Sequence, residues 1–210
     1  MARKTKQQAL ETRQQILDAA IHCFSTRGVS STSLSDIAIR AGVTRGAIYW
    51  HFKNKIDILN EIWLQSDECL DKLELEYQNK YPDDPMAQIR ALLITLLQST
   101  VRDSSRRALM EIIFHKCEFV GEMETFQKIQ QDMLLECYPK IENTLKKCIA
   151  AGQLPEKLNT RQAAIMMRSY ISGLMENWLF TPAGFDLEND AEPLVDAFMD
   201  MLRFSPVLLK

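Results

Sequence analysis

Residues 44–55 carry side chains of the kinds that contact nucleic-acid bases and phosphates. Arg45 presents a fork of N–H donors that matches guanine O6 and N7, and Thr44 can contact a thymine methyl group or a phosphate. Tyr49, Lys53 and Lys55 can reach backbone oxygens of DNA. Any polar helix face has a similar composition, so the elements that position these side chains must decide between a DNA-reading surface and an ordinary solvated one.

Two short helices joined by a tight turn are predicted around these residues. Ser33 is a good N-cap for a helix over residues 34–41, and Asp36 stands where it completes a capping box. Gly42 ends that helix, because glycine enters the left-handed conformation at little cost, and Thr44 caps the next helix. This order is typical of a DNA-binding helix-turn-helix. The apolar stripe that joins the two helices consists of Leu34, Ile37, Ala38, Val43, Ala47, Ile48 and Phe52.

The segment from residue 29 to residue 62 resembles the TetR family of transcriptional regulators. The family signature stands here as Thr32-Ser-Leu-Ser-Asp-Ile-Ala, Ala41-Gly-Val-Thr-Arg-Gly-Ala-Ile-Tyr-Trp-His-Phe and Lys53-Asn-Lys55. Shorter matches at residues 3–6, 114–119, 173–179 and 185–187 resemble the AcrR branch, the repressors placed next to multidrug efflux pump genes. The resemblance implies that the DNA-binding residues are Ser33, Thr44, Arg45, Gly46, Tyr49, Trp50, His51, Lys53 and Lys55.

Charge is distributed unevenly along the chain. Residues 1–60 contain nine Lys and Arg against four Asp and Glu, whereas residues 61–210 contain 16 against 24. Attraction to phosphates is local, so a basic N-terminal part can bind DNA although the whole chain has a net charge of −3. Arg3, Lys4 and Lys6 are expected to form a flexible basic arm that adds phosphate or minor-groove contacts.

Every long segment has helical periodicity and none alternates apolar and polar residues for the length of a strand, so the predicted fold is all-α. A three-helix helix-turn-helix domain is expected over residues 1–55, and a helical ligand-binding and dimerisation domain over residues 56–210. Pro139 is expected to kink or end its helix near Tyr138. The predicted long helices cover residues 7–26, 55–80, 85–101, 105–117, 122–151, 160–180 and 191–204.

The last two helices have apolar faces that look wider than one core needs. Ser169, Ser172 and Gly173 are small enough to let a partner helix approach, which favours a four-helix bundle with a second copy of the chain. The alternative is an ordinary monomeric core. The two faces consist of Ala163, Met166, Met167, Tyr170, Leu174 and Trp178 on one helix and Leu194, Val195, Phe198, Met199 and Leu202 on the other.

A ligand cavity is predicted among the helices that follow the helix-turn-helix. Methionine and aromatic side chains adapt to varied apolar shapes, and a carboxylate of Asp67 or Glu111 could pair with a cationic compound. The alternative is that these residues belong to a plain core or are solvated. The predicted ligand-binding residues are Trp63, Asp67, Leu70, Arg106, Arg107, Glu111, Phe114, Gln130 and Met133.

Enzymatic and membrane roles find no support in the sequence. The Glu-x-x-His pairs of a di-iron bundle are absent, there is no nucleotide-binding loop, and His115 and Cys117 would point apart on a helix, so we expect no enzyme activity, cofactor or metal. No apolar run reaches membrane-spanning length. Five cysteines without a Cys-x-x-Cys pair indicate reduced core thiols of a cytoplasmic protein.

We therefore expect a cytoplasmic, homodimeric repressor that leaves a palindromic operator when it binds apolar or cationic inducers. The alternative is an activator or a redox sensor that uses Cys69 or Cys117.

Overall fold

The computed structural model of the protein describes residues 2–118 and 121–209. Within these ranges it consists of α-helices and two short 3-10 helices without a strand, which confirms the all-α prediction. No described helix is both long enough and apolar enough to cross a bilayer. The helices are α1 (Ala2–Arg27), α2 (Leu34–Ala41), α3 (Arg45–His51), α4 (Lys55–Lys80), α5 (Pro85–Arg102), α6 (Ser104–His115), α7 (Glu124–Ala150), α8 (Thr160–Phe180) and α9 (Leu187–Phe204).

The described residues divide into two compact units. The first contains residues up to 68 together with residues 108–128, and the second contains residues 69–107 and 129 onward. This division follows the packing of the chain, whereas the boundary at residue 55 that we predict separates functions. The functional boundary therefore stays a prediction.

Helices α1, α2 and α3 pack together in the first unit. Phe24 of α1, Ile37 of α2 and Ile48 of α3 have no exposed surface. Each isoleucine or phenylalanine buried in this way contributes roughly 1.5–3 kcal/mol to folding. Such a core holds two helices of eight and seven residues, which are too short to be stable alone in water.

Helix α9 packs on both α5 and α8 in the second unit. Phe198 is 2% exposed and stacks on Tyr170 with 5.1 Å between the ring centroids. The Tyr170 hydroxyl donates to the carbonyl of Leu194 at 3.0 Å. Arg90 of α5 donates from Nε and Nη2 to the two carboxylate oxygens of Asp196, at 2.6 and 2.9 Å. The apolar stripe of α9 is thus covered within its own chain.

The main departures from the sequence prediction lie in three helices. Helix α1 begins at Ala2, where a flexible arm was expected, although the side chains of Arg3 and Lys4 lie outside the described residues. Helix α7 continues through Pro139, so it does not end near Tyr138, and the alternative of a kink there stays a prediction. Leu135 and Pro139 are exposed, and water can hydrate the carbonyl that the missing amide leaves free. Helix α9 begins four residues early because Asp186 caps it.

Candidate functional site

The turn between α2 and α3 is set by three local side-chain and backbone features. Ser33 Oγ accepts from the amide of Asp36 at 3.2 Å, and the Asp36 carboxylate accepts from the amide of Ser33 at 2.9 Å. Gly42 follows α2 with a φ of 67°, in the left-handed region that glycine adopts without strain. Thr44 Oγ1 then accepts from the amide of Ala47 at 3.2 Å. The predicted capping box, glycine stop and second cap are all confirmed.

Helix α3 exposes the polar residues that were predicted to contact DNA. Arg45 donates from Nη2 to the Tyr49 hydroxyl at 2.9 Å, and its guanidinium carbon lies 5.4 Å from the centroid of the tyrosine ring. Thr44, Gly46 and Lys53 are also exposed. The guanidinium of Arg45 is therefore held along the outer surface of α3, beside an aromatic ring.

His51 differs from the other predicted contact residues because it is half-buried. Its ring meets that of Trp50 edge to face at 4.5 Å, while Trp50 is 73% exposed. Burial, and secondarily the nearby charge of Arg13, lowers the pKa of His51 below its ordinary value of 6.5. At neutral pH the imidazole is therefore held uncharged, and it can donate one hydrogen bond rather than act as a cation.

A recess of about 290 Å³ lies between α1 and α3. The part that α1 plays in this recess could not be predicted, because nothing in the periodicity of α1 shows which of its polar residues face α3. The only indication in the sequence is that residues 8 and 12 are one helical turn apart and so lie on the same face of α1. The recess is lined by Gln8, Ala9, Thr12, Ala47, Trp50 and His51.

The two predicted phosphate-contacting lysines have different environments. Lys53 is exposed, whereas Lys55 is half-buried and donates from Nζ to the carbonyl of Ser30 at 3.1 Å. Asn54 caps α4 by accepting from the amide of Asp57 at 2.8 Å. Lys55 thus ties the segment before α2 to the start of α4, in addition to any contact with DNA.

Arg13 joins α1 to α4 under the helix-turn-helix. Its Nη1 donates to Glu61 Oε1 at 2.6 Å, and its guanidinium carbon lies 5.0 Å from the centroid of the Phe52 ring. The hydrogen bond from Arg13 lowers the pKa of Glu61, so the pair is ionised at neutral pH. Arg13 therefore links α1 to α4 and to Phe52, the residue that ends α3.

The nine predicted ligand-binding residues are all half-buried. Their intermediate exposure is compatible with a cavity wall, and it does not distinguish such a wall from the edge of a core. Four of them belong to the first unit, and five belong to the second. Those of the first unit are Trp63, Asp67, Glu111 and Phe114, and those of the second are Leu70, Arg106, Arg107, Gln130 and Met133.

Arg107 is occupied by contacts within the second unit. Its Nη2 donates to the carbonyl of Val101, its Nε donates to the carbonyl of Thr100 at 3.4 Å, and its guanidinium carbon lies 5.3 Å from the ring of Trp178. These carbonyls end α5 and have no partner in that helix, so Arg107 closes the helix. The structure gives Arg107 a part in the α5–α6 turn.

The thiols differ in exposure, and the expectation of core positions is only partly right. Cys23 and Cys148 are buried, Cys117 and Cys137 are half-buried, and Cys69 is exposed. Burial raises the pKa of Cys117 to about 11, so this thiol is protonated and weakly reactive at neutral pH. Cys117 also follows the end of α6 at His115, instead of lying on that helix.

The faces predicted for dimerisation are partly buried within the chain. Val195, Phe198, Met199 and Leu202 of α9 are at most 2% exposed, so these four residues are covered within the chain, whereas Leu194 of the same predicted face is half-buried. Ser169 is exposed, and Ser172 and Gly173 are half-buried. The small residues of α8 thus remain near the surface, while the large apolar residues of α9 do not.

Two family models match the chain. Residues 16–62 match bacterial regulatory proteins of the tetR family, and residues 84–204 match the C-terminal region of MAATS-type transcriptional repressors. The chain belongs to the TetR family. Its capped helix-turn-helix falls within the first match, and the contact between α5 and α9 falls within the second.

Individual relatives cover nearly the whole TetR-family chain. It is 59% identical to the HTH-type transcriptional regulator AcrR of Shigella flexneri over 208 residues, 99% of this chain and 97% of that protein. The structure of NalD of Pseudomonas aeruginosa, a secondary repressor of an efflux pump, is 31% identical with a TM-score of 0.83, covering 95% and 99% of the two chains. The SmeT–triclosan complex is 29% identical with a TM-score of 0.83, covering 95% of each chain. The chain is thus a TetR-family transcriptional repressor.

Proposed function

We propose that this repressor acts in the cytoplasm and controls the genes of a multidrug efflux pump. It binds a palindromic operator as a homodimer and leaves the operator when it binds an apolar or cationic compound. Efflux regulation is supported by the likeness to NalD, which is described as a repressor of such a pump. Small-molecule binding is supported by the likeness to SmeT, which was solved with triclosan. The observation that carries the proposal is the exposed face of α3 on a doubly capped helix-turn-helix.

Operator recognition is assigned to Arg45, with Lys53 as a phosphate contact. Arg45 is held by Tyr49 on the outer surface of α3, where an arginine can pair with guanine in the major groove. The rest of the predicted DNA-binding set, namely Ser33, Thr44, Gly46, Tyr49, Trp50, His51 and Lys55, surrounds it. Ser33, Thr44 and Lys55 also hold the local fold, so their replacement would not report on DNA contact alone.

Operator binding is tested by selecting promoter fragments with the purified protein and sequencing them. Arg45→Ala should weaken binding to the selected operator by roughly 1–3 kcal/mol and flatten its base preference. Lys53→Ala should weaken binding to all DNA sequences alike, and it should reduce the slope of log K against log salt concentration by about one. Lys146→Ala, which removes an equal charge from an exposed site on α7, is the control and should change neither. Equal loss of specificity in the Arg45 and Lys53 variants would contradict the assignment.

Dimerisation is proposed on the outward face of α8. Ile165 and Phe180 are 41% and 79% exposed, and with Ser169 and Glu176 they follow the three- and four-residue spacing of one helix face. Exposed apolar residues beside small ones are typical of a helix pair that packs closely. A dimer places two recognition helices about one DNA turn apart, which a palindromic operator requires.

Sedimentation of two charge variants tests this face. Ile165→Glu should give monomers, because the dimer would have to bury an unpaired carboxylate. Leu135→Glu, also at an exposed apolar residue of a long helix, is the matched control and should stay dimeric. Intact dimers of the Ile165 variant would place the interface elsewhere.

Release from DNA requires a ligand that binds the two conformations of the repressor with different affinities. We assign ligand contact to the half-buried set Trp63, Asp67, Leu70, Arg106, Arg107, Glu111, Phe114, Gln130 and Met133. In this set Arg107 would contact a ligand in addition to closing α5. Asp67→Asn or Glu111→Gln should weaken the binding of ethidium more than that of a neutral dye. Operator binding by the protein without a ligand should be unchanged. The alternative redox function predicts instead that a thiol-blocking reagent releases the operator while dyes do not, and the raised pKa of Cys117 disfavours that thiol.

A further inference from the structure

Arg106 carries a buried donor that has no acceptor. Its Nε is inaccessible to solvent and has no hydrogen-bond partner within the described part of the chain. A buried N–H without a partner costs free energy, and a partly buried cation without a counter-ion costs more. Native proteins leave few such groups, so each one calls for an explanation.

The neighbours of Arg106 within the second unit do not satisfy it. The Asp103 carboxylate accepts from the amides of Ser105 and Arg106, at 2.8 and 3.2 Å, and so serves the first turn of α6. Its charge acts on the Arg106 guanidinium only at a distance. Burial nevertheless outweighs this charge and lowers the pKa of Arg106, although an arginine stays protonated at any physiological pH. The positive charge is therefore under-compensated.

The adjacent arginine shows that the turn itself does not need a second cation. Arg107 already binds the carbonyls that end α5 and stacks on Trp178. Arg106 has no corresponding structural partner for its Nε. An outside acceptor reaches Nε only if the half-buried Arg106 side chain changes its rotamer. A guanidinium that turns in this way can form two parallel N–H···O bonds with a planar carboxylate, which relieves the unsatisfied donor.

We infer that Arg106 binds the acidic group of an inducer, so that this repressor responds to apolar organic carboxylates as well as to neutral and cationic compounds. The inference rests on the proposed function, since it names a ligand class for the proposed inducer site. An apolar acid supplies the missing acceptor and counter-charge in one group. Its uncharged amide keeps the shape and an acceptor oxygen but supplies no charge.

The test compares 2-naphthoate with 2-naphthamide by calorimetry on the full-length protein. The wild type should bind the carboxylate about 10- to 100-fold more tightly than the amide, the range expected for a charge-assisted hydrogen-bonded pair. Arg106→Gln should remove this preference while binding the amide as the wild type does. Arg106→Lys keeps the positive charge but loses the two parallel N–H donors, so it should retain part of the preference for the carboxylate. Arg102→Gln, at an exposed arginine of α5, is the control and should keep the full preference.

The inference is overturned if the wild type binds the two compounds equally, a result that needs no variant to fold, or if Arg106→Gln keeps the preference. Operator release is measured separately with the same two compounds. If the carboxylate binds through Arg106 and neither compound releases operator DNA, the ligand assignment stands and the proposed release mechanism fails. If both compounds release the operator equally and bind equally, the release mechanism stands and the carboxylate assignment fails.

Discussion

The helix-turn-helix and the α5–α9 pair are stabilised over very different distances along the chain. In the first, Ser33, Thr44 and Asn54 each accept a hydrogen bond from a backbone amide three residues later. In the second, Arg90 of α5 binds Asp196 of α9, which is 106 residues further on. The local interactions can be predicted from the sequence, because both partners lie within one helical turn. The distant ones do not.

This difference also separates two kinds of exposed surface. The polar face of α3 is exposed because the short helix buries its other side, which the spacing of apolar residues shows. The apolar face of α9 is covered because α5 and α8 reach it, which no spacing within α9 shows. A wide apolar stripe therefore predicts burial without telling whether the covering helix belongs to the same chain.

The largest expected effect tests the burial of α9 within its own chain. Phe198→Ala should lower the free energy of unfolding by about 3–5 kcal/mol, because it leaves a cavity beside Tyr170 in a closed core. Phe204→Ala, on the same helix and 75% exposed, should change it by less than about 0.5 kcal/mol. Denaturant unfolding with matched m-values measures both. Similar losses for the two variants would mean that Phe198 does not lie in the core of the single chain.

A smaller effect is expected from the two glycines of the helix-turn-helix. Gly42→Ala should destabilise the protein by about 1–2 kcal/mol, because the φ of 67° is strained for any residue with a Cβ atom. Gly46→Ala should stabilise α3 by about 1 kcal/mol, because a Cβ there meets no atom closer than 3.8 Å and alanine is the better helix former. Thermal unfolding of the two variants measures whether each substitution stabilises or destabilises the protein. If Gly46→Ala is stable and binds the operator normally, Gly46 is not a site of close approach to DNA.

The smallest effect concerns the Arg90–Asp196 pair and its dependence on pH. The hydrogen bonds from Arg90 lower the pKa of Asp196, so the pair stabilises the fold fully above the ordinary aspartate pKa of 3.8, and this stabilisation is lost as the pH falls from there through the lowered pKa of the folded state. Both side chains are about half exposed, so screening limits the coupling to about 0.2–1 kcal/mol. A double-mutant cycle of Arg90→Ala and Asp196→Asn should show this coupling at pH 7 and none near pH 2. A coupling that does not change with pH would show that the contact is not ionic.

Much of the DNA-binding part could be predicted from the sequence. The capping box at Ser33, the stop at Gly42 and the bounds of α2 and α4 agree with the structure. The departures from the prediction arise where the solvent exposure of a turn or the packing of a distant element decides. Helix α7 continues through Pro139 because that turn is exposed, and the α9 face at Phe198 is closed by its own chain. The recess on α1 was missed because no local pattern says which face of α1 meets α3.

The sequence by itself determined the all-α fold, the capped helix-turn-helix and the TetR-family membership, because helical period, caps and signature residues are properties of neighbouring positions. Tertiary structure alone decided which of two consecutive arginines is structural. Arg106 and Arg107 are indistinguishable by type and nearly so by position, yet one closes α5 against Trp178 and the other keeps a buried N–H without an acceptor. The physical reason is that burial and hydrogen-bond satisfaction depend on groups brought together by the fold, and neither is encoded within one turn of helix.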